Sequence, residues 1–317
     1  MKTFFKFGLG MAAVLLASCS SNNLDEIAPN EEQNTLPEYN VTMTIPEIEW
    51  GEGETRSILT PNGGNIGFSW AEGDVVGVYS PEAKGGNLAT FKLTNIDGSN
   101  SKVANFDGGG FLLISGYNYT AVYPYNGNAI NQTTYPVSYA GQNPIRNNGG
   151  EHLGAYDYLA TVATATSDNA ASFNFNRLGS FMRMRLVVPK AGTYTSVKIS
   201  APEKVFIMEG QVNLLDENLT ITCDDESKKS KDYNIILGEN GNGLTLTDAD
   251  LNLIIYILIA PVDLSGKVLT FTLLDSNGNV SEYTATGRSM PANMVTGYVP
   301  TAVSGSISGS GSGYPFG

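Results

Sequence analysis

Apolar and polar residues alternate with period two along most of this chain, and no stretch shows the spacing of an amphipathic helix. Val41, Met43 and Ile45 are separated by polar neighbours, and Leu269, Phe271 and Leu273 repeat the pattern. Tyr117, Tyr119, Ala121 and Tyr123 fall on one face of a predicted strand. Met182, Met184, Leu186 and Val188 fall on one face of another, with Arg183 and Arg185 on its opposite face. Between these runs stand Asn62-Gly63, Asp97-Gly98, Asp107-Gly108, Asn126-Gly127, Asn148-Gly149, Asn240-Gly241 and Asn277-Gly278. Such pairs accept the positive φ of tight hairpin turns. Many short strands joined in this way predict an all-β protein built of β-sandwiches. The apolar run 251–262 is too short to cross a bilayer as a helix, and its β-branched residues predict a strand buried on both faces.

At about 100–200 residues per domain, 317 residues suggest two domains. A polar, small-residue stretch at Ser167-Asp168-Asn169-Ala170-Ala171 marks the expected boundary, and a fresh strand is expected at Phe173-Asn174-Phe175. This gives sandwiches at 39–168 and 169–303, each long enough for its own core. The Gly/Ser-rich stretch 304–317 reads as a flexible tail.

The head of the chain carries an address. Lys2 and Lys6 precede an apolar core at 7–16 of signal-peptide length. Leu16-Ala17-Ser18-Cys19 matches the bacterial lipobox, so residues 1–18 read as a signal peptide and Cys19 as the lipid attachment point in the outer membrane. An ordinary signal peptide with an incidental cysteine is the alternative. Removing 1–18 takes away two lysines and no acids, moving the charge from −13 to −15. Residues 19–38 are polar, with Asp25, Glu26, Glu31 and Glu32, and read as a disordered tether resembling a surface-export signal.

Chemistry contributes mainly exclusions. A charge of −13 with 18 Lys and Arg argues against nucleic acid, whose binding draws on cations at phosphates. His152, the one histidine, follows a loop signature without a nucleophile elbow and is expected on the surface. Asp275-Ser276-Asn277-Gly278-Asn279 resembles the start of a calcium loop but has Thr286 at the twelfth position, so a hairpin turn is expected. Gly108-Gly109-Gly110 lacks the strand–helix setting of a phosphate loop. Cys223, with Cys19 committed to lipid, is expected to be a small buried residue. Trp50, Trp70 and the tyrosines of 117–125 suit a core better than a sugar platform. Neither an enzyme nor a cofactor is indicated.

An ordered set of segments resembles the fimbrillin family of Bacteroidota, surface pilus subunits made as lipoprotein precursors. Phe68-Ser69-Trp70-Ala71-Glu72-Gly73-Asp74-Val75-Val76-Gly77-Val78-Tyr79 resembles one family segment, and Ala121-Val122-Tyr123-Pro124-Tyr125 another. Asp157-Tyr158-Leu159-Ala160, residues 173–188, Ile259-Ala260-Pro261, Leu269-Thr270-Phe271, Gly278, Tyr283 and Gly297-Tyr298 follow in family order. The resemblance implies two tandem, transthyretin-like sandwiches with a provisionally held first strand. A trypsin-like surface protease cuts behind that strand, and a strand of another subunit replaces it. Here the provisional strand falls at 39–45 and the processing site at Arg56. The donor candidates are Val295, Tyr298, Val299, Val303 and Ile307. Implied partners are other fimbrial subunits and a ligand on a host or bacterial surface. The Gly/Ser tail is poor in donor-like alternation, which points toward a tip or accessory position. The alternative is a non-polymerising surface lipoprotein that binds glycans or proteins through the same fold.

Overall fold

The computed structural model describes residues 38–50, 68–79, 88–125 and 133–304. The chain divides into units 1–36 and 37–317, and every described residue lies in the second. Its first strands are β1 Asn40–Thr44, β2 Glu49–Trp50, β3 Val75–Tyr79, β4 Ala89–Asp97, β5 Asn100–Asp107 and β6 Asn118–Tyr123. There follow β7 Thr134–Ser138, β8 Leu159–Thr164, β9 Ala170–Asn174, β10 Asn176–Arg177, β11 Ser180–Val187 and β12 Gly192–Ser200. Shorter pieces come next: β13 Phe206–Ile207, β14 Glu209–Asn213, β15 Ile221–Thr222, β16 Lys229–Ser230, β17 Asp232–Ile236 and β18 Leu244–Leu246. The last are β19 Asn252–Ile259, β20 Val262–Asp263, β21 Val268–Asp275, β22 Val280–Thr286, β23 Ser289–Met290, β24 Met294–Tyr298 and β25 Thr301–Ala302. The protein is all-β, as the alternation predicts.

Three sheets carry most of the architecture. The first has eight strands in the order β10-β8-β6-β3-β4-β5-β1-β9. The second has four, β19-β11-β24-β2, and the third runs β17-β12-β21-β22-β25 with β18 also on β12. Although β8 and β9 lie toward opposite ends of the first sheet, only residues 165–169 separate them in the chain. The sheet therefore rolls round and encloses a core of Val41, Met43, Trp70, Phe91, Phe106, Tyr119 and Phe173. A second core lies between the four-strand and six-strand sheets, with Met182, Met184, Leu186, Ile255, Ile257 and Phe271. A third joins residues of both halves, among them Val122, Tyr135, Val137, Phe181, Tyr256 and Val295.

Local chemistry explains the punctuation. Asp97-Gly98 turns β4 into β5, with Asp97 Oδ1 accepting from Ser99 N at 2.8 Å. Asp275 does the same between β21 and β22, accepting from Asn277 N at 2.9 Å and Asn279 N at 2.8 Å, so the calcium-like stretch is a hairpin turn. Asn148 and Asn240 adopt the left-handed backbone their glycine pairs lead one to expect, at φ 54° and 55°. Asn62-Gly63 and Asn126-Gly127 lie outside the described residues.

Several expectations need correction. The strand around Phe173 does not open a second sandwich: β9 pairs in parallel with β1, and β10 pairs with β8. The polar stretch at 167–171 contains the tight turn between β8 and β9, where Asn169 sits at φ 56°. Sheet membership changes later, between Arg177 and Ser180. Arg183 does lie opposite the methionine face of β11, yet it is buried, because the third core covers that face too. Tyr119 and Ala121 are core residues, but Tyr117 is 40% exposed in the loop before β6. The run 251–262 behaves as expected, with β19 buried along most of its length.

Candidate functional site: the leading strand and its seat

Strand β1 is bonded along both edges by strands distant in sequence. It pairs antiparallel with β5, Val41 opposite Phe106 and Met43 opposite Ala104. It pairs in parallel with β9, Val41 beside Ala171 and Met43 beside Phe173. The period-two pattern turns Val41, Met43 and Ile45 inward, where they are 0%, 0% and 4% exposed. Burying each such side chain contributes roughly 1.5–3 kcal/mol. Thr42, on the outer face, donates from Oγ1 to Ser172 Oγ at 3.0 Å.

The seat also fixes the strand from its ends and from below. Trp70 is 3% exposed and donates its indole N–H to Met43 O at 3.0 Å. Its ring meets Phe106 edge-on at 5.0 Å. Tyr39 donates to Phe111 O and accepts from Gly110 N, both at 2.9 Å. Asn40 N donates to Asn169 O, and Phe175 N donates to Thr44 O. Behind the strand, Lys102 forms an ion pair with Glu47, whose side chain is 75% exposed, so the pair adds little stability.

The leading segment then crosses to the second sheet. Ile48, 9% exposed, enters the shared core. Glu49 and Trp50 form β2, parallel to β24. Asn293, left-handed at φ 62°, meets this crossing: its Nδ2 donates to Glu47 O and its O accepts from Glu49 N, both at 2.9 Å. Its Oδ1 accepts from Arg177 Nη1 at 2.7 Å. Arg177 is buried and grips Asp157 with two parallel bonds, Nε to Oδ1 at 2.5 Å and Nη2 to Oδ2 at 2.9 Å. Its guanidinium lies 4.7 Å from the ring centre of Phe68 and 5.4 Å from that of Phe181. Sequence reasoning missed this cluster. The hint was an arginine placed just before the alternating stretch that runs from Phe181 to Val188.

The other candidates are scattered. Cys19, Arg56 and Ile307 lie outside the described residues. Val295 and Tyr298 are core residues of β24, 1% and 2% exposed, and the Tyr298 hydroxyl accepts from Arg288 N. Val299 and Val303 are 64% and 39% exposed, flanking β25 at the edge of the third sheet. Trp50 contributes its backbone to β2. His152, expected on the surface, is 3% exposed with Nε2 at 2.9 Å from Tyr256 O, and burial pushes its pKa below 6.5. Cys223 is half-buried rather than buried, with Sγ directed at Asp225 O. A cleft of about 480 Å³ beside β7 is lined by Pro124, Tyr125, Tyr135, Pro136, Tyr158 and Lys228.

The fold and this seat define an all-β protein whose first strand is lodged between strands from elsewhere in the chain. Residues 55–303 match the sequence model of the fimbrillin-like family, and the chain belongs to that family. The family supports a fimbrial or adhesive role at the cell surface. Among solved structures, a protein assigned to cell adhesion from Bacteroides ovatus is similar at 12% identity and a TM-score of 0.51, over 87% of this chain and 97% of that one. One from Bacteroides uniformis has 16% identity and a TM-score of 0.47, over 74% and 88%. A fimbrial assembly protein from Parabacteroides distasonis has 8% identity and a TM-score of 0.35, over 85% and 93%. No curated protein sequence matches the chain.

Proposed function

We propose that the protein is a stalk, accessory or tip subunit of a cell-surface fimbria. It is exported as a lipoprotein through Cys19 and assembled when cleavage after Arg56 frees the leading strand for exchange. The observation that carries this reading is the seat of β1, a short strand bonded on both edges, with Val41 and Met43, and Ile45 just after it, in the core. Main-chain hydrogen bonds then supply affinity, and alternating side chains supply register. Losing β1 would leave two bare edges over an apolar slot, a state prone to aggregation until another strand fills it. The donor lies beyond Tyr298, because Val295 and Tyr298 already serve this chain's own core. Val299 and Val303 are exposed, and Ile307 continues their parity.

Limited trypsin treatment of the purified protein tests this. The expected result is a cut after Arg56 followed by heat-labile, SDS-resistant oligomers that are lost when residues beyond Tyr298 are deleted. A protein cut there that keeps its leading strand and forms no oligomer, alone or with other fimbrial subunits, overturns strand exchange. The tyrosine-lined cleft beside β7 favours a second reading, a non-polymerising lipoprotein that binds a glycan or protein. Resistance to cutting together with glycan retention selects it.

A further inference from the structure

We propose that the leading segment is held, and any strand replacing it is read, at two places: the slot between β5 and β9, and the edge of β24, where Asn293 is the reader. This rests on the strand-exchange reading and names what the incoming partner must carry. All four hydrogen-bonding elements of Asn293 are engaged. Two face inward, N to Gly179 O at 2.8 Å and Oδ1 from Arg177 Nη1 at 2.7 Å. Two face the leading segment, Nδ2 to Glu47 O and O from Glu49 N.

Arg177 sets the direction of that readout. A guanidinium can only donate, so the amide oxygen of Asn293 must turn toward it and the amide nitrogen must turn outward. The outward nitrogen requires a carbonyl, and the Asn293 carbonyl requires an N–H two residues further along. Arg177 is itself locked by Asp157 and lies over Phe68 and Phe181, so the amide cannot flip to suit another backbone. When the segment leaves, β24 becomes an open edge and the place of Ile48 in the shared core empties.

The partner is therefore an extended segment of a second polypeptide, about as long as residues 40–50. It carries apolar side chains where this chain has Val41, Met43, Ile45 and Ile48. It has a non-proline residue at the place of Glu49. A strand matching only the first three positions fills the slot and leaves β24 bare.

Displacement measures this directly. A site-specific protease sequence introduced within 52–66 allows the chain to be cut with both pieces retained. Synthetic peptides 38–45 and 38–50 then compete for the seat against the native fragment, followed by fluorescence anisotropy. Peptide 38–50 should displace the fragment at concentrations about tenfold lower than 38–45, a gap of about 1.4 kcal/mol. Asn293→Gly keeps the left-handed backbone and removes the amide, and should cut the advantage to within about threefold. N-methylation of the peptide at Glu49, with the protein unchanged, should weaken binding several-fold. Equal binding of the two peptides to the unsubstituted protein overturns the second contact while leaving strand exchange intact. An undiminished advantage in Asn293→Gly overturns the role of Asn293. Binding of neither peptide overturns strand exchange itself.

Discussion

Arg177 shows how much one side chain can decide in this protein. Among the described residues it is the largest that is fully buried, and its charge is tolerated because Asp157, Asn293 and two aromatic rings surround it. Breaking a buried pair from one side leaves the other charge stranded, so Arg177→Met should cost about 3–5 kcal/mol in urea unfolding. The double change with Asp157→Leu should recover most of that loss. His152 gives a pH dependence of known sign. Its pKa is lowered in the fold because burial disfavours the imidazolium, so the unfolded chain binds the proton more readily. Stability should be full above pH 6.5 and fall as the pH drops below it. Thermal scans between pH 7.5 and 5 should show the fall, with a shallower slope in His152→Gln. Neither residue was readable in the sequence. A charge carries no mark of its distant partner, and the loop signature around His152 gave no sign that β19 would cover the ring.

For single strands, alternation was a reliable guide wherever one face meets a core. Val41, Met43 and Ile45 pointed to β1, and the methionine row pointed to β11. Strand partners were not legible, because the same alternating pattern fits any sheet. That is why β9 was expected in the wrong sheet and β2 was not anticipated at all. The energetics of β1 can still be tested. Met43 is fully buried, and Met43→Ala should destabilise the intact protein by about 2–5 kcal/mol. In protein cut within 51–67 the same change should speed loss of the leading fragment. A substitution of outward-facing Thr42 should leave that rate within about twofold.

Across the whole molecule, composition and length suggest two halves, each with its own core, but neither main core keeps to one half: Ala171 and Phe173 from beyond residue 168 line the first, and Ile145 from before it enters the second. The third is shared as well: Val122 and Tyr135 come from the first half, and Phe181, Tyr256 and Val295 from the second. No local pattern announces such a core, since its members look like the outer faces of strands in either half. The halves should therefore unfold together. Calorimetry should give one transition, and Phe181→Ala, costing about 3–5 kcal/mol, should lower it without splitting it.

The position of β1 also bears on how the chain is made. Its neighbour β9 arrives some 130 residues later, which at ribosomal speeds of about 5–20 residues per second is on the order of ten seconds. β5 reaches β1 after only about sixty residues, so for the rest of that interval the earliest stretch of the sheet holds one neighbour and waits with its other edge open. Its slot closes only when β9 arrives, a keystone's place left half walled until the far side of the arch is built.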